Sequence, residues 1–183
     1  MNIFVLDRDP DKAARLMCDK HVVKMVTETA QLLSTAHRVL DGEVSLRPSV
    51  SGKRTVKYYE LEEYEMDIIL YKANHINHPC SVWVRETSSN YDWLWNHFVA
   101  LCDEYHERYG RYHKSDLRLL QPLRNKPINI PKGELTEFPQ AMPDDCKQKD
   151  VVLAYQSYYN KYKSSFAKWK SGLVPDWFEG VAA

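Results

Sequence analysis

The sequence predicts a mainly α fold, a single-domain helical bundle over residues 1–183 with a short N-terminal extended segment and a long proline-rich connection. Three observations predict it. Helical periodicity recurs over several long stretches, no second strand is evident beside the apolar run Asn2 to Leu6, and no internal repeat or low-complexity segment divides the chain. A chain of 183 residues also buries a core without disulfide staples.

Asn2 to Leu6 extends as a strand or plugs the core with the chain start. Asp9-Pro10 supplies an N-cap and a proline at the first helical position, opening a short helix over Asp11 to Met17. The organising stretch is Cys18 to Arg38, CDKHVVKMVTETAQLLSTAHR, with Asp19 as its cap and Asp41-Gly42 as its stop. At about 100° per residue, Val22, Met25, Val26, Ala30, Leu33, Ala36 and Leu40 fill one broad apolar arc, so this helix is buried. Residues 43–56 are polar, contain Pro and Gly, and read as a loop. Tyr58 to Lys72 has helical period, with Leu61, Tyr64, Ile68 and Tyr71 inward. Asn74 to Pro79 breaks it, and Pro79 begins a short helix, PCSVWVRE. Ser88 or Ser89 caps the long segment that Gly110 terminates, with Trp93, Leu94, Phe98, Leu101, Cys102 and Tyr105 on its core face. A short helix fits Lys114 to Leu120. Five prolines between 122 and 149 exclude a helix there. Asp150 to Trp169 resumes helical period, and the tail SGLVPDWF docks through Trp177 and Phe178.

Cys18, Cys80, Cys102 and Cys146 are scattered behind an N-terminus without signal features, which predicts reduced thiols and a cytoplasmic location. No apolar run approaches the roughly eighteen residues of a membrane span, so no membrane partner is expected. Formal net charge is zero, but it is polarised: residues 1–107 hold 12 Lys and Arg against 17 Asp and Glu, and residues 108–170 hold 13 against 6. A basic C-terminal third interleaved with aromatics suits a surface that tracks a nucleic-acid backbone and stacks bases. It suits an ordinary solvated helix face equally well.

His21, Lys24, Glu28, Gln31 and Thr35 recur three or four residues apart and so stack in one stripe along the edge of the apolar arc. An acid, an amine, an imidazole and an amide on one face are what proton transfer uses, although a solvated helix edge reads the same way. Arg47, Lys53 and Arg54 in the following loop are candidate phosphate clamps. Asn74, His75, Asn77 and His78 crowd hydrogen-bonding groups into a helix-breaking loop, with Trp83 and Arg85 close behind, and loops between rigid helices favour ligand contact. Cys18-x2-His21 and His75-x2-His78-x-Cys80 match no familiar zinc spacing, so no metal is expected. No GxxxxGK[ST], GxGxxG or GxSxG motif occurs, which leaves P-loop hydrolysis, dinucleotide redox chemistry and serine hydrolysis without support.

The spacing Asp19-x-His21-x6-Glu28, on a long helix near the N-terminus, resembles the phage pyrimidine-dimer DNA glycosylases of the endonuclease V type. The segment NYDWLWNHFVALCDEYHERYG is similar to that family's long later helix, and YKSSFAKWKSGLVPDWF to its aromatic, lysine-containing C-terminus. The resemblance implies a small helical enzyme in the cytoplasm of a phage-infected bacterium, monomeric and without metal or cofactor. It would act on duplex DNA and remove a damaged or modified base flipped from the stack. Glu28 would be the acid, with His21, Gln31, Arg47, Lys53, Arg54, His75, His78, Trp83, Arg85 and Lys168 toward the DNA; Trp83, Tyr91 or Trp93 are available as wedges or stacking partners, although core packing is the commoner role of such aromatics. The family nucleophile is the α-amine of a Thr exposed by loss of the initiator Met, whereas residue 2 here is Asn. That leaves the Met1 α-amine, the Lys24 amine or water. A transferase acting on hypermodified phage bases and a non-enzymatic nucleic-acid-binding protein are the alternatives.

Overall fold

The computed structural model describes residues 1–49, 51–170, 172 and 174–180. The loop expectation at Val50 and the tail expectations at Ser171 and Leu173 lie outside the described residues. Elements follow in the order α1 (Pro10–Arg15), α2 (Asp19–Asp41), β1 (Glu43–Pro48), β2 (Thr55–Glu60), α3 (Tyr64–Ile69), α4 (Pro79–Val84), α5 (Ser88–Tyr109), α6 (Lys114–Leu119) and α7 (Val151–Tyr162). The fold is mainly helical, and among the described residues its sheet is one two-stranded ribbon.

Asp9 caps α1 by accepting the N–H groups of Asp11 and Lys12 at 2.9 and 3.0 Å. α2 spans 23 residues, about 35 Å at 1.5 Å per residue, and buries the apolar arc from Val22 to Ala36 against α5. Thr87, not Ser88 or Ser89, caps α5: its hydroxyl accepts Asn90 N–H at 3.1 Å, and left-handed Gly110 (φ 66) ends the helix. Asp19 does not cap α2 either. Its carboxylate accepts Arg108 Nη1 from α5 at 3.2 Å and the Lys170 N–H at 3.0 Å. Arg108 also donates to the carbonyls of Met17 and Arg15, so one buried guanidinium joins the α1–α2 corner to α5.

Two sequence expectations are overturned. Residues 43–56 are not a loop, and Tyr58 to Lys72 is not one helix. Instead β1 and β2 pair antiparallel, with Leu46 opposite Lys57, and only Tyr64–Ile69 is helical. The β-branched and aromatic residues Val44, Val56, Tyr58 and Tyr59 favour extended pairing. The root of the ribbon is also held from α2. Arg38, fully buried, donates to the Tyr59 and Tyr71 carbonyls at 2.7 Å, to the Leu70 and Asp67 carbonyls, and to Asp67 Oδ1 at 2.5 Å. A Cβ on Gly42 would sit 2.5 Å from the Arg38 carbonyl oxygen, so the turn from helix to ribbon accepts only glycine without shifting.

The proline-rich connection wraps the core as a strap. Asn90 clamps it with paired bonds to Thr136, and Phe138 fills the space between Trp83 and Trp93. α7 ends at Tyr162, short of the expected Trp169, where Ser164 and Ser165 interrupt the good helix formers. Trp169 still docks, its indole N–H on the Leu16 carbonyl at 3.1 Å. The chain start lies beneath strap and α7: Asn2 Nδ2 donates to the Ala141 carbonyl at 2.7 Å, and the Tyr155 hydroxyl reaches Asn2 Oδ1 at 2.7 Å. Among the described residues no helix is long and apolar enough to cross a membrane.

Candidate active site

The polar stripe of α2 divides in two. Its C-terminal half is structural: Gln31 donates to the Lys72 carbonyl at 2.6 Å, Thr35 accepts the Asn74 N–H at 3.3 Å, and Arg38 holds residues 67–71. These bonds lay the segment from Leu70 to His78 along the helix. Its N-terminal half stays open. Glu28 is 19 % exposed in its side chain and pairs with Lys24 Nζ at 3.0 Å, while Lys24 is 63 % exposed. With lysine N-terminal to glutamate, such an i,i+4 pair is the weaker orientation and worth at most about 0.5 kcal/mol. The carboxylate is therefore held lightly.

Beside Glu28 stands the turn 75–78, closed by a bond from His78 N–H to the His75 carbonyl at 2.9 Å. His75 adopts φ 47 and Phe4 adopts φ 54; among the described residues these are the non-glycine positions with positive φ. Left-handed backbone at bulky residues stores about 1–3 kcal/mol and concentrates at functional sites. His78 caps α4, its Nδ1 accepting the Cys80 N–H at 3.2 Å, so the neutral ring carries its proton on Nε2. Burial pushes the His78 pKa down, as do the Met1 α-amine and His75, against an upward pull from Glu28. The amine and the carboxylate thus act on one imidazole. Cys80 is fully buried behind it, and burial raises its thiol to about 12, which keeps it protonated and unreactive.

The other expected site residues divide between core, scaffold and ribbon. His21 is 5 % exposed, within 4.3 to 5.6 Å of the Phe4, Tyr159 and Phe166 rings, and hydrogen-bonded through Nδ1 to the Tyr159 hydroxyl. Burial, then Lys163 and Lys24, lower its pKa to about 3. It supports α2 from inside. Trp83, 2 % exposed, and the buried Tyr91 and Trp93 pack in the core, so none of them is an exposed wedge. Arg85 braces the histidine turn through the Ile76 and Ser81 carbonyls, both at 2.8 Å. Lys168 is exposed, and its carbonyl accepts the Asp19 N–H at 2.8 Å. Arg47, Lys53 and Arg54 belong to the ribbon at the far end of α2. Sequence reading missed Ala141 and Tyr155 as the seat of the chain start, and no local pattern signals a contact between residues so distant in sequence.

Among the described residues no group of three or more His, Cys, Asp or Glu is spaced to hold a metal ion. A cavity of about 720 Å³ lies beside the C-terminal end of α2, lined by His37, Asp41, Leu61, Glu62, Met66 and Asn125 among others. It is separate from Glu28, and the carboxylates of Asp41, Glu62 and Glu63 make its rim unsuited to a polyanion.

A family model described as pyrimidine dimer DNA glycosylase matches residues 1–117. No curated protein and no solved structure matches the chain.

Proposed function

The chain belongs to the pyrimidine dimer DNA glycosylase family, and from that membership we propose that it excises a damaged or modified base from duplex DNA and then cleaves the strand, using a primary amine as nucleophile. The observation that carries this reading is the lightly held, part-exposed Glu28 carboxylate, with the Lys24 amine 3.0 Å away and the Met1 α-amine acting on the same His78 ring.

An amine attacks only when neutral. Its lone pair forms a bond to C1′ as the C1′–N bond breaks, and the base leaves with that electron pair and takes a proton from solvent. Glu28 receives the proton shed by the attacking nitrogen and delivers it to the ring oxygen O4′, which opens the sugar to a Schiff base. The carboxylate so regenerated removes a C2′ proton, and the electrons expel the 3′ oxygen with its phosphate. Water then hydrolyses the imine and restores the amine. Asn2 is pinned to Ala141 and Tyr155 by the bonds that join the chain start to α7, which supports the residue preceding it as a fixed source of the amine.

Borohydride reduction of the protein mixed with duplex DNA carrying an abasic site or a pyrimidine dimer tests the reading. Wild type yields a covalent adduct, Glu28→Gln yields little, and peptide mapping finds the DNA on Met1. Failure of wild type to form an adduct or release a base over a panel of lesions overturns the proposal. An adduct on Lys24 reassigns the nucleophile.

A further inference from the structure

The ribbon β1–β2 is the part of the fold that the proposed chemistry leaves unused. Residues 44–59 carry Arg47, Lys53, Arg54 and Lys57 and no carboxylate. One face presents Val44 and Leu46, 57 % and 68 % exposed, beside Tyr59 and Lys57. The other presents Arg47, which pairs with Glu60 at the root and lies 5.8 Å from the Tyr58 ring centre. A two-stranded ribbon that packs on no core is marginally stable in water, and apolar side chains so exposed contribute little to the chain's own stability.

The root, by contrast, is fixed. Arg38, which holds the Tyr59 carbonyl, follows Glu28 by ten residues on α2, about 15 Å along the axis. At 3.4 Å per base pair that distance is about four to five pairs of duplex DNA. The major groove admits an α-helix or a two-stranded ribbon, and phosphates line its edges.

We propose that the β1–β2 ribbon forms a DNA-binding arm that lies in a groove of the duplex on one side of the nucleotide held at Glu28, with Lys53, Arg54 and Lys57 on phosphates. This inference rests on the reading of duplex DNA as substrate. The charge distribution selects the occupant: a polyanion complements Lys53, Arg54 and Lys57, which have no acid between them, whereas a second copy of this chain would set like charges face to face.

Salt-dependent binding tests the arm. Wild type and Lys53→Ala/Arg54→Ala/Lys57→Ala are titrated with a duplex carrying an abasic site, and Lys53→Ala/Arg54→Ala alone leaves both strands unaltered as a control for folding. Loss of three phosphate contacts lowers the slope of log K against log salt by about 2.7, with at least tenfold weaker binding at low salt. Trimming one flank of the duplex to three base pairs weakens wild type to the level of the triple variant and leaves the variant unchanged. Wild-type affinity and slope in the triple variant overturn the arm while the proposed function stands. Absence of duplex binding by wild type overturns the reading beneath it, and the arm with it. Conversion of a dimer to monomer by Leu46→Ser, with DNA affinity unchanged, gives the ribbon to a second copy and overturns the arm.

Discussion

His78 Nδ1 accepts the backbone N–H of Cys80 at 3.2 Å, which turns the opposite ring nitrogen and its proton away from α4. Under the proposed function one ring then has two separable jobs, capping a helix and lending a donor toward Met1 and Glu28, whose charges both act on it. Asparagine caps helices well, whereas alanine at a cap costs about 1 kcal/mol. The expected outcome is that His78→Asn keeps unfolding stability within about 0.5 kcal/mol of wild type while adduct formation slows by about tenfold or more. Equal losses in His78→Asn and His78→Ala, tracking stability alone, would reduce the ring to a cap.

The Lys24–Glu28 pair makes the next prediction. An exposed pair in this orientation contributes at most about 0.5 kcal/mol, so Glu28→Gln and Lys24→Ala should unfold at nearly the wild-type denaturant midpoint. Their chemistry should differ sharply. Glu28→Gln loses both proton transfers at the sugar, and adduct yield should fall by about 100-fold, whereas Lys24→Ala should still be trapped. A Lys24→Ala protein that folds and forms no adduct would move the nucleophile from the chain start to the helix.

How far the sequence reveals this site follows from what each residue touches. Glu28 was legible because a carboxylate at the edge of a regular apolar arc must face outward, whatever packs around it. Asp19 and His21, its companions in the recognised spacing, turn inward to Arg108 and Tyr159, partners more than eighty residues away that no periodicity encodes. Gln31 and Thr35 continue the stripe by spacing and leave it by bonding, because the segment 70–78 lies over them. The long helices were readable from caps and period. The ribbon was not, because Tyr58 and Tyr59 meet a helical pattern as well as a strand, and the buried Arg38 that selects the strand sits twenty residues upstream.

Three histidines give the fold an acid liability. Burial lowers His21 to about 3 and His37 and His97 to about 4. All three lie far below the unfolded value near 6.5, so the unfolded chain binds more protons once pH falls below that value. Stability is full above about pH 6.5 and declines through the window down to about 4, each ring contributing up to about 1.4 kcal/mol per pH unit. Urea unfolding at pH 7 and pH 5 should show a midpoint markedly lower at pH 5. An unchanged midpoint would mean that these rings are reached by water.

Arg38 and Asp67 set the last prediction. Burial tends to raise the Asp67 carboxyl, but hydrogen bonds from Arg38 and the Leu61 N–H, with the nearby charges of Arg38 and Lys72, hold it below the usual range. Removing the guanidinium leaves that carboxylate and four carbonyls without their donor, and breaking a buried pair from one side costs about 3–5 kcal/mol. Arg38→Ala should lower unfolding stability by about that amount and free the root of the ribbon. Limited proteolysis of the variant should then cut within 43–60 faster than in wild type, at a temperature where the helical core still resists. Because the depressed carboxyl stabilises the fold only while ionised, its share is present above about pH 4 and lost as pH falls through the lowered value. Asp67→Asn should accordingly remove the part of the acid transition below pH 4 and leave the histidine part in place. An Arg38→Ala protein with wild-type stability and an intact ribbon would show that β1 and β2 hold together without the anchor.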